Sequence, residues 1–390
     1  MKVKQIKIYQ LNWGQLSPIW HPLVVQIETD QGISGYGEAG IAYGTGMLGV
    51  TGLIKELGHR IIGKDPLLIN QIWQDIYEHT FWAKGGGTIF YSAVSALDIA
   101  LWDIKGKAAE FPVYQLFGGP IRNTLPAYAS HIEYGWGPFS RYVQTPHDFG
   151  RLAKRAVKAG YQAIKVDPVD QESHQQYLNH RGLLTNGQLT RAYNRVEAIR
   201  RNIGDNIQII IDCHANLRVE SAIQLSKVLA PLNIYYLEEP IPTLSAADYR
   251  LIAKKVSIPL AVGEHLTTPK TFLPYIANHY IGVVQPDLGT CGGFSLIQRI
   301  NSLALANDIN LQLHVCGSPI ATAAALQFEA VAPNFVFHEQ HEITLKDAYR
   351  ESAKYQMPLK DGSYQLTNRP GIGQELSEQA KDNASSITIK

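Results

Sequence analysis

Residues 123–345 repeat one structural unit. A short run rich in β-branched and aliphatic residues is followed by a polar turn and then by a segment with apolar residues three and four positions apart. The runs predicted to be strands are 125–132, 162–167, 208–212, 235–238, 259–264, 282–287, 311–315 and 335–339. The segments predicted to be helices include 148–159, 191–203, 220–229, 246–256, 294–306 and 320–330.

Eight strand–helix units over about 220 residues predict an α/β fold of the (β/α)8 (TIM-like) barrel type, because right-handed crossovers close such a chain on itself. A doubly wound open sheet is the competing architecture. However, no GxGxxG sequence follows the first strand of any unit.

The barrel is flanked by two segments with a different pattern. Residues 1–122 predict an α+β domain, with strands at 4–11, 23–29 and 34–40 and helices at 53–62, 68–80 and 91–109. We expect the first of these strands to lie at an edge of its sheet. In residues 346–390 the repeat stops, and we expect this segment to pack back on the N-terminal domain.

Composition argues against several classes of partner. The chain has 35 Lys and Arg against 34 Asp and Glu, a net charge of +1, and no Lys/Arg run longer than two. We therefore expect neither nucleic-acid nor membrane binding. The three cysteines, Cys213, Cys291 and Cys316, have no CxxC spacing, and the N-terminus does not have the pattern of a signal peptide. A reducing, cytoplasmic location fits best.

Polar side chains end six successive strands of the repeat. Asp212, Glu238 and Glu264 end the third, fourth and fifth strands at intervals of 26 residues, and Asp287, His314 and Glu339 end the next three. Because each strand–helix unit returns the chain to the same rim, we expect these side chains to converge where barrel enzymes keep their active sites.

The three successive carboxylates predict a metal ion. Like charges this close repel one another and raise each other's pKa unless a cation neutralises them. Oxygen ligands without cysteine suit a hard ion, and Mg²⁺ would keep positions open for water or for a substrate oxyanion. We expect one Mg²⁺ per subunit, bound by Asp212, Glu238 and Glu264.

Further groups add acid–base chemistry. His214 lies two residues after Asp212, so strand alternation would point both into the barrel mouth, and Lys165 and Asp167 share a face on the second strand in the same way. Asp287 would lie beside His314 and fix its tautomer. With Mg²⁺ stabilising an enediolate, one histidine can remove a proton from the α-carbon and the other can protonate a leaving hydroxyl.

The sequence resembles the enolase superfamily, mandelate racemase subgroup, over nearly its whole length. The resemblance is carried by IIDCHAN at 210–216, YLEEP at 236–240, VGE at 262–264, QPD at 285–287, CGG at 291–293, His314, SALDIALWDIKGK at 95–107 and LFGG at 116–119. It implies that residues 1–122 cap the barrel, that the C-terminal segment completes the cap, and that the protein forms a homo-oligomer.

The resemblance also implies roles for single residues. Asp212, Glu238 and Glu264 match the Mg²⁺ ligands, Asp287 and His314 the dyad that acts as base, and Glu339 the acid that hydrogen-bonds the enediolate oxygen. Lys165 matches the first lysine of a Lys-x-Lys motif. The second lysine, a base in the racemases, is replaced by Asp167, which disfavours a two-base racemase or a lysine-based cycloisomerase. His214 matches the general acid of the dehydratases that act on galactonate, gluconate or mannonate.

Substrate choice is expected to depend on loops over the barrel mouth. In this family, segments such as 13–21 and 41–47 cover the site and exclude water. The candidate substrate-binding residues are Trp20, His21, Tyr43 and Asp167. The connection 168–188 could also overhang the site, through His174, Tyr177, His180 and Arg181.

The sequence thus predicts a Mg²⁺-dependent enzyme that converts a small-molecule sugar acid, an aldonate, to a 2-keto-3-deoxy acid. Three alternatives remain: epimerisation, racemisation or cycloisomerisation through the same enediolate; an aldolase with Lys165 as Schiff-base nucleophile; and a catalytically idle sugar-acid binding or regulatory protein. Several nearby polar residues are expected to be structural, namely Asp98, Asp103, Glu239, His265, Cys291 and Cys316.

Overall fold

The fold is described from a computed structural model. It describes residues 1–137, 142–169, 171–173, 176–177 and 182–390, with the short strands at 171–173 and 176–177 described by their backbone alone. Across these residues, no helix combines the length and the apolar character needed to cross a bilayer.

The elements follow the predicted order. The strands are β1 (Val3–Gln10), β2 (Leu23–Thr29), β3 (Ser34–Ala39), β4 (Thr124–Ser130), β5 (Ala163–Val166), β6 (Gln171–Ser173), β7 (Gln176–Tyr177), β8 (Gln208–Asp212), β9 (Ile234–Glu238), β10 (Leu260–Val262), β11 (Val283–Val284), β12 (Asn310–Leu311), β13 (His338–His341), β14 (Leu359–Lys360), β15 (Ser363–Gln365) and β16 (Ser385–Ile389). The helices are α1 (Met47–Ile61), α2 (Ile69–His79), α3 (Thr88–Ala108), α4 (Val113–Leu116), α5 (Pro146–Lys158), α6 (Asn186–Ile203), α7 (Val219–Leu229), α8 (Ala246–Ala253), α9 (Pro269–Ile276), α10 (Gly293–Leu305), α11 (Pro319–Glu329), α12 (Asp347–Ser352) and α13 (Glu378–Asn383).

The N-terminal domain is an antiparallel sheet covered by helices. Its strand order is β16-β1-β2-β3, and α3 packs along β3. The prediction that β1 is an edge strand is wrong, because β16 pairs with it in the register Ile6 to Ile389. Local alternation cannot reveal a partner that lies at the other end of the chain.

The barrel strands are parallel and follow one another around the molecule. The order runs β4, β5, β8, β9, β10, β11 and β12, and β13 returns to pair with β4. Leu311, in β12, bridges to Phe335, just before β13, so the eighth segment contacts both of its neighbours. The predicted (β/α)8-type fold is confirmed. The hairpin of β6 and β7 is added between β5 and α6.

The C-terminal segment contacts both parts of the protein. β15 runs antiparallel to β4 of the barrel, and β16 joins the N-terminal sheet. The division into 1–122, 123–345 and 346–390 stays a prediction.

Two buried carboxylates of the N-terminal domain hold the starts of barrel helices. Glu38, at the end of β3, accepts hydrogen bonds from the backbone N–H groups of Ser318 (2.8 Å) and Ala321 (3.1 Å) and from the Ser318 hydroxyl (2.5 Å). Asp98, on α3, accepts from the backbone and hydroxyl of Ser295. Burial raises the pKa of Glu38 and of Asp98 to about 7, although these hydrogen bonds oppose the shift.

A third buried carboxylate, Asp103, links three segments. It accepts from the backbone N–H groups of Tyr36 and Ile372, both at 2.8 Å, and pairs with Lys107 at 2.9 Å. Gly371 packs so closely that an added Cβ would lie 1.9 Å from an Asp103 oxygen. Asp98 and Asp103 therefore have the structural contacts expected of them.

Candidate active site

Acidic and imidazole side chains meet at the C-terminal end of the barrel. Asp212 and Glu238 are the last residues of β8 and β9. Glu264, Asp287 and His314 follow β10, β11 and β12 by two or three residues. The predicted strand ends were therefore slightly long, but the parallel arrangement still brings these groups to one rim.

Lys165 lies among three carboxylates. Its Nζ is 2.6 Å from Glu238 Oε1, 2.9 Å from Glu339 Oε1 and 3.1 Å from Asp212 Oδ2, and the residue is only 1% exposed. Burial alone would lower its pKa, but the surrounding carboxylates, Glu238 first, outweigh burial and raise the pKa well above its usual range. Lys165 is thus a fixed positive charge.

The acidic set exceeds the charge that Lys165 can neutralise. Burial, followed by repulsion from Asp212, raises the pKa of Glu238 well above its usual range. Carboxylate oxygens on three successive strands, with a surplus of negative charge, suit a hard divalent cation. Two separate groups of three metal-ligating residues, each with its ligand atoms within 4.8 Å of one another, contain one predicted ligand apiece: His131, Asp212 and His214 form one group, and Glu239, Glu264 and His265 the other. Among the described residues, no such group contains Asp212, Glu238 and Glu264 together. The fit to Mg²⁺ therefore rests on the surplus of carboxylate oxygens at this rim.

His314 lies between two carboxylates. Its Nδ1 is 2.7 Å from Asp287 Oδ2, and its Nε2 is 3.0 Å from Glu264 Oε2. Burial opposes the charged imidazolium, but Glu264 and Asp287 outweigh it and raise the pKa of His314 well above its usual value. Asp287 thus fixes the ring, and Nε2 is the nitrogen directed to the predicted metal ligands.

His214 is fixed by a second carboxylate. Its Nδ1 is 3.1 Å from Asp167 Oδ2, and its backbone N–H donates to Asp212 Oδ1 at 2.9 Å. Burial opposes its protonation, but Asp212 and Asp167 outweigh burial and raise the pKa of His214 to about 10. Strand alternation is not the cause of its direction, because β8 ends at Asp212 and His214 has a φ of 45°. The left-handed turn directs His214 to the mouth.

Two further histidines lie at the site and were missed from the sequence. His131, just after β4, has its Nδ1 3.0 Å from Glu133, and its ring stacks on His214 with centroids 4.9 Å apart. His341 is the last residue of β13 and lies against His131, with ring centroids 5.0 Å apart. His131 lies one residue before the end of the predicted strand 125–132, and His341 lies two residues after the end of the predicted strand 335–339. This nearness to predicted strand ends is the signal that could have found them.

The N-terminal domain closes one side of a cavity of about 220 Å³. Trp20 and Tyr43 line it, together with Asp212, His214, Glu264, His314 and the two missed histidines. Among the described lining residues, neither His21 nor Asp167 is present. His21 donates its backbone N–H to Ala42, whereas Asp167 contacts His214. His174, His180, Arg181 and the side chain of Tyr177 lie outside the described residues.

The remaining polar residues have structural partners. His265 Nδ1 lies 2.5 Å from Glu239 Oε2, as expected for a satisfied pair, although the half-exposed ring also lines the cavity. Burial raises the pKa of the Cys213, Cys291 and Cys316 thiols, so they stay protonated and unreactive at neutral pH.

The fold and the site together define a barrel enzyme whose active-site mouth is closed by an α+β cap. Residues 148–380 match the family model described as enolase C-terminal domain-like, and residues 21–118 match the N-terminal domain of mandelate racemase / muconate lactonizing enzyme. The chain therefore belongs to the mandelate racemase/muconate lactonizing enzyme family of the enolase superfamily.

Individual relatives agree with this assignment. A D-galactonate dehydratase of Pectobacterium atrosepticum is 32% identical over 383 residues, which cover 96% of this chain and 93% of the relative. One from Variovorax paradoxus is 32% identical over 97% of this chain and 94% of its own. The crystal structure of a member of the enolase superfamily from Salmonella Typhimurium is 41% identical, with a TM-score of 0.96 and complete coverage of both chains. The resemblance noted in the sequence is confirmed.

Proposed function

We propose that the protein is a Mg²⁺-dependent sugar-acid dehydratase. The observation that carries this proposal is the pair of imidazoles, each fixed by its own carboxylate, that face one cavity: His314 with Asp287 and His214 with Asp167. Elimination of water needs one group to accept a proton and another to donate one. The D-galactonate dehydratases among the relatives support the reaction class. The substrate class is an aldonate such as gluconate, galactonate or mannonate.

Asp212, Glu238 and Glu264 would hold the ion. When bound, Mg²⁺ would supply positive charge to the substrate carboxylate and to the negative charge that develops on it. Lys165 contributes a second, permanent positive charge beside the same carboxylates. Glu339 is fixed by the Ser130 hydroxyl and the Val315 backbone N–H, so its oxygens are oriented before substrate arrives.

His314 is the proposed base. A cation held by Glu264 would offset the carboxylate charge that raises the pKa of His314, so its Nε2 would be unprotonated and could take the proton from C2 of the substrate. Asp287 holds Nδ1–H and stabilises the imidazolium that forms. The electron pair of the C2–H bond moves into an enediolate. Proton transfer of this kind contributes about 10²- to 10⁴-fold to the rate.

His214 is the proposed acid. Its raised pKa, about 10, keeps it protonated at neutral pH, and it would give this proton to the leaving 3-hydroxyl. The C3–O bond breaks, water leaves, and the enol tautomerises to the 2-keto-3-deoxy acid. His214 and His314 then return to their starting states by exchanging one proton with solvent.

Asp167 argues against the enzyme alternatives that need a lysine base. It occupies that position but uses Oδ2 to fix His214, so it is a positioning residue in this proposal. Epimerisation or cycloisomerisation through the same two histidines remains the second candidate, and it would form no 2-keto acid. A homo-oligomer stays a prediction.

Two substitutions test the separate roles proposed for His314 and His214. His314→Asn should abolish both keto-acid formation and exchange of the substrate α-proton with deuterated water. His214→Asn should lose keto-acid formation but retain exchange, because the base is intact. His147→Asn is the control, since that ring is 85% exposed on α5. Keto acid is measured with semicarbazide and exchange by proton NMR, over a panel of aldonates and aldarates.

Two results would contradict the assignment. Full activity of His314→Asn would show that another group is the base, and loss of exchange in His214→Asn would make His214 a base. A wild-type protein that exchanges the α-proton but forms no keto acid would favour the epimerase. A protein without any Mg²⁺-dependent activity across the panel would favour a sugar-acid binding role.

A further inference from the structure

His341 presents a buried hydrogen-bond donor to the cavity. The residue ends β13, is 6% exposed, and lines the cavity. Its Nδ1 accepts a hydrogen bond from the backbone N–H of Ile343 at 3.4 Å. Burial, followed by the neighbouring His131, lowers the pKa of His341 well below its usual value, so the ring is neutral at pH 7.

The tautomer follows from these contacts. A neutral imidazole carries one proton, and a ring that accepts at Nδ1 carries that proton on Nε2. No group in the described parts of the chain accepts a hydrogen bond from Nε2 of His341. Because His341 lines the cavity, this donor is open to a ligand, which can supply the acceptor in place of water.

The position of His341 indicates which part of the ligand it meets. The rings of His214, His131, His341 and Trp20 form a row, with successive centroids 4.9, 5.0 and 5.2 Å apart. His214 begins this row beside Asp212, where the proposed chemistry at C2 and C3 takes place. The row therefore leads from the reacting carbons toward the aromatic wall of Trp20 and Tyr43.

The two ends of the cavity differ in charge. Asp212, Glu264 and His314 make one end ionic, whereas the end formed by His341, Trp20 and Tyr43 offers neutral groups. A hydroxyl can be satisfied there by one neutral donor. Lys165 acts on His341 electrostatically, but it is already paired with three carboxylates, so a second substrate carboxylate would be desolvated at this end without a free charge from Lys165 to pair with it.

We propose that His341 determines specificity for the distal part of the substrate, by donating its Nε2–H to a hydroxyl oxygen on C5 or C6 of an aldonate. This inference rests on the proposed function. This hydrogen bond would favour monocarboxylic sugar acids of five or six carbons over aldarates and over shorter acids. His341 acts on binding and positioning and takes no part in the proton transfers.

The test compares His341→Phe, which keeps an aromatic ring but removes the donor, with His341→Gln, which restores an N–H. The probes are D-gluconate, D-galactonate and D-mannonate, paired with the four-carbon acids D-erythronate and L-threonate. We expect kcat/KM for the accepted six-carbon acid to fall about 10-fold or more in the Phe variant, mainly through KM, and to recover in part with Gln. Any turnover of the four-carbon acids should not change.

A control variant and a binding assay distinguish a specific effect of His341 from a general loss of activity. His59→Phe, an exposed change on α1, should leave all constants unchanged. Ligand-induced thermal shifts of the same variants with the same acids measure binding without turnover, and His341→Gln provides the test if the Phe variant does not fold. Equal effects of His341→Phe on four- and six-carbon acids, or none on either, would overturn the inference while the dehydratase assignment stands. A wild-type enzyme that converts no aldonate would overturn the proposed function itself.

Discussion

Glu38 provides a test of how the N-terminal domain is attached to the barrel. This buried carboxylate accepts hydrogen bonds from three donor groups at the start of α11, and burial raises its pKa from 4.5 to about 7. Between these two values the folded protein keeps a proton that the unfolded chain has lost. The free energy of unfolding therefore falls as pH rises through this window, and the loss is complete above about pH 7.

The magnitude follows from the shift in pKa. At 1.36 kcal/mol for each pKa unit, ionised Glu38 costs about 3 kcal/mol of stability above pH 7. Glu38→Gln keeps the shape of the side chain but cannot ionise. The difference in unfolding free energy, variant minus wild type, should therefore rise by about 2.5 kcal/mol between pH 5 and pH 8, because part of the loss has already occurred at pH 5. At pH 5 the variant should be less stable by about 1–2 kcal/mol, because an amide nitrogen cannot accept from a backbone N–H.

Urea denaturation followed by circular dichroism, in half-unit steps of pH, measures this difference. Glu28→Gln is the matched control on the same sheet. Partial burial opposes its ionisation, but hydrogen bonds from Lys7 and Gln5 outweigh burial and lower the pKa of Glu28, so its titration lies below the window. A flat difference for Glu38→Gln between pH 5 and pH 8 would refute the reasoning.

Two further predictions concern close packing and the metal. Gly371→Ala should cost several kcal/mol in urea denaturation, because its Cβ would displace the hydrogen-bonded carboxylate of Asp103 as well as strain the backbone. Gly204→Ala, with a similar φ of 73° and open space, should cost only its backbone strain of about 1–3 kcal/mol. Equal losses would contradict this account. Mg²⁺ at 100 times its Kd should stabilise the EDTA-treated protein by about 2.7 kcal/mol, and Glu238→Gln should weaken this effect. The absence of any thermal shift with Mg²⁺ in the wild type would argue against the site.

The sequence was sufficient to predict those features of the fold and the site that recur with each strand–helix unit. Asp212, Glu238 and Glu264 could be found because they are 26 residues apart along the chain. In a parallel barrel each strand–helix unit returns the chain to the same rim, so residues at this spacing lie close together. His131, just after β4, and His341, the last residue of β13, also lie at strand ends, but not at this interval. The contribution of these two histidines to the site depends on ring contacts, which spacing along the chain does not encode.

Features fixed by turns or by distant pairing could not be obtained in this way. His214 faces the cavity because the chain turns left-handed after β8, which alternation along a strand does not describe. Asp167 was assigned to substrate, but its carboxylate contacts His214 across two strands. The partner of β1 lies more than 370 residues away along the chain, so the edge of the sheet was placed wrongly.

That pairing of β1 with β16 has a consequence for biosynthesis. On the ribosome, the first strand emerges early and stays without one of its two neighbours until residues 385–389 are made. Its hydrogen-bonding edge is open throughout synthesis of the barrel, and such an edge is a site for mispairing with other chains. Lys4 and Lys7 in this strand, and Lys2 just before it, carry charges that oppose aggregation until β16 is made. The N-terminal sheet is therefore completed by β16, which is made after the barrel.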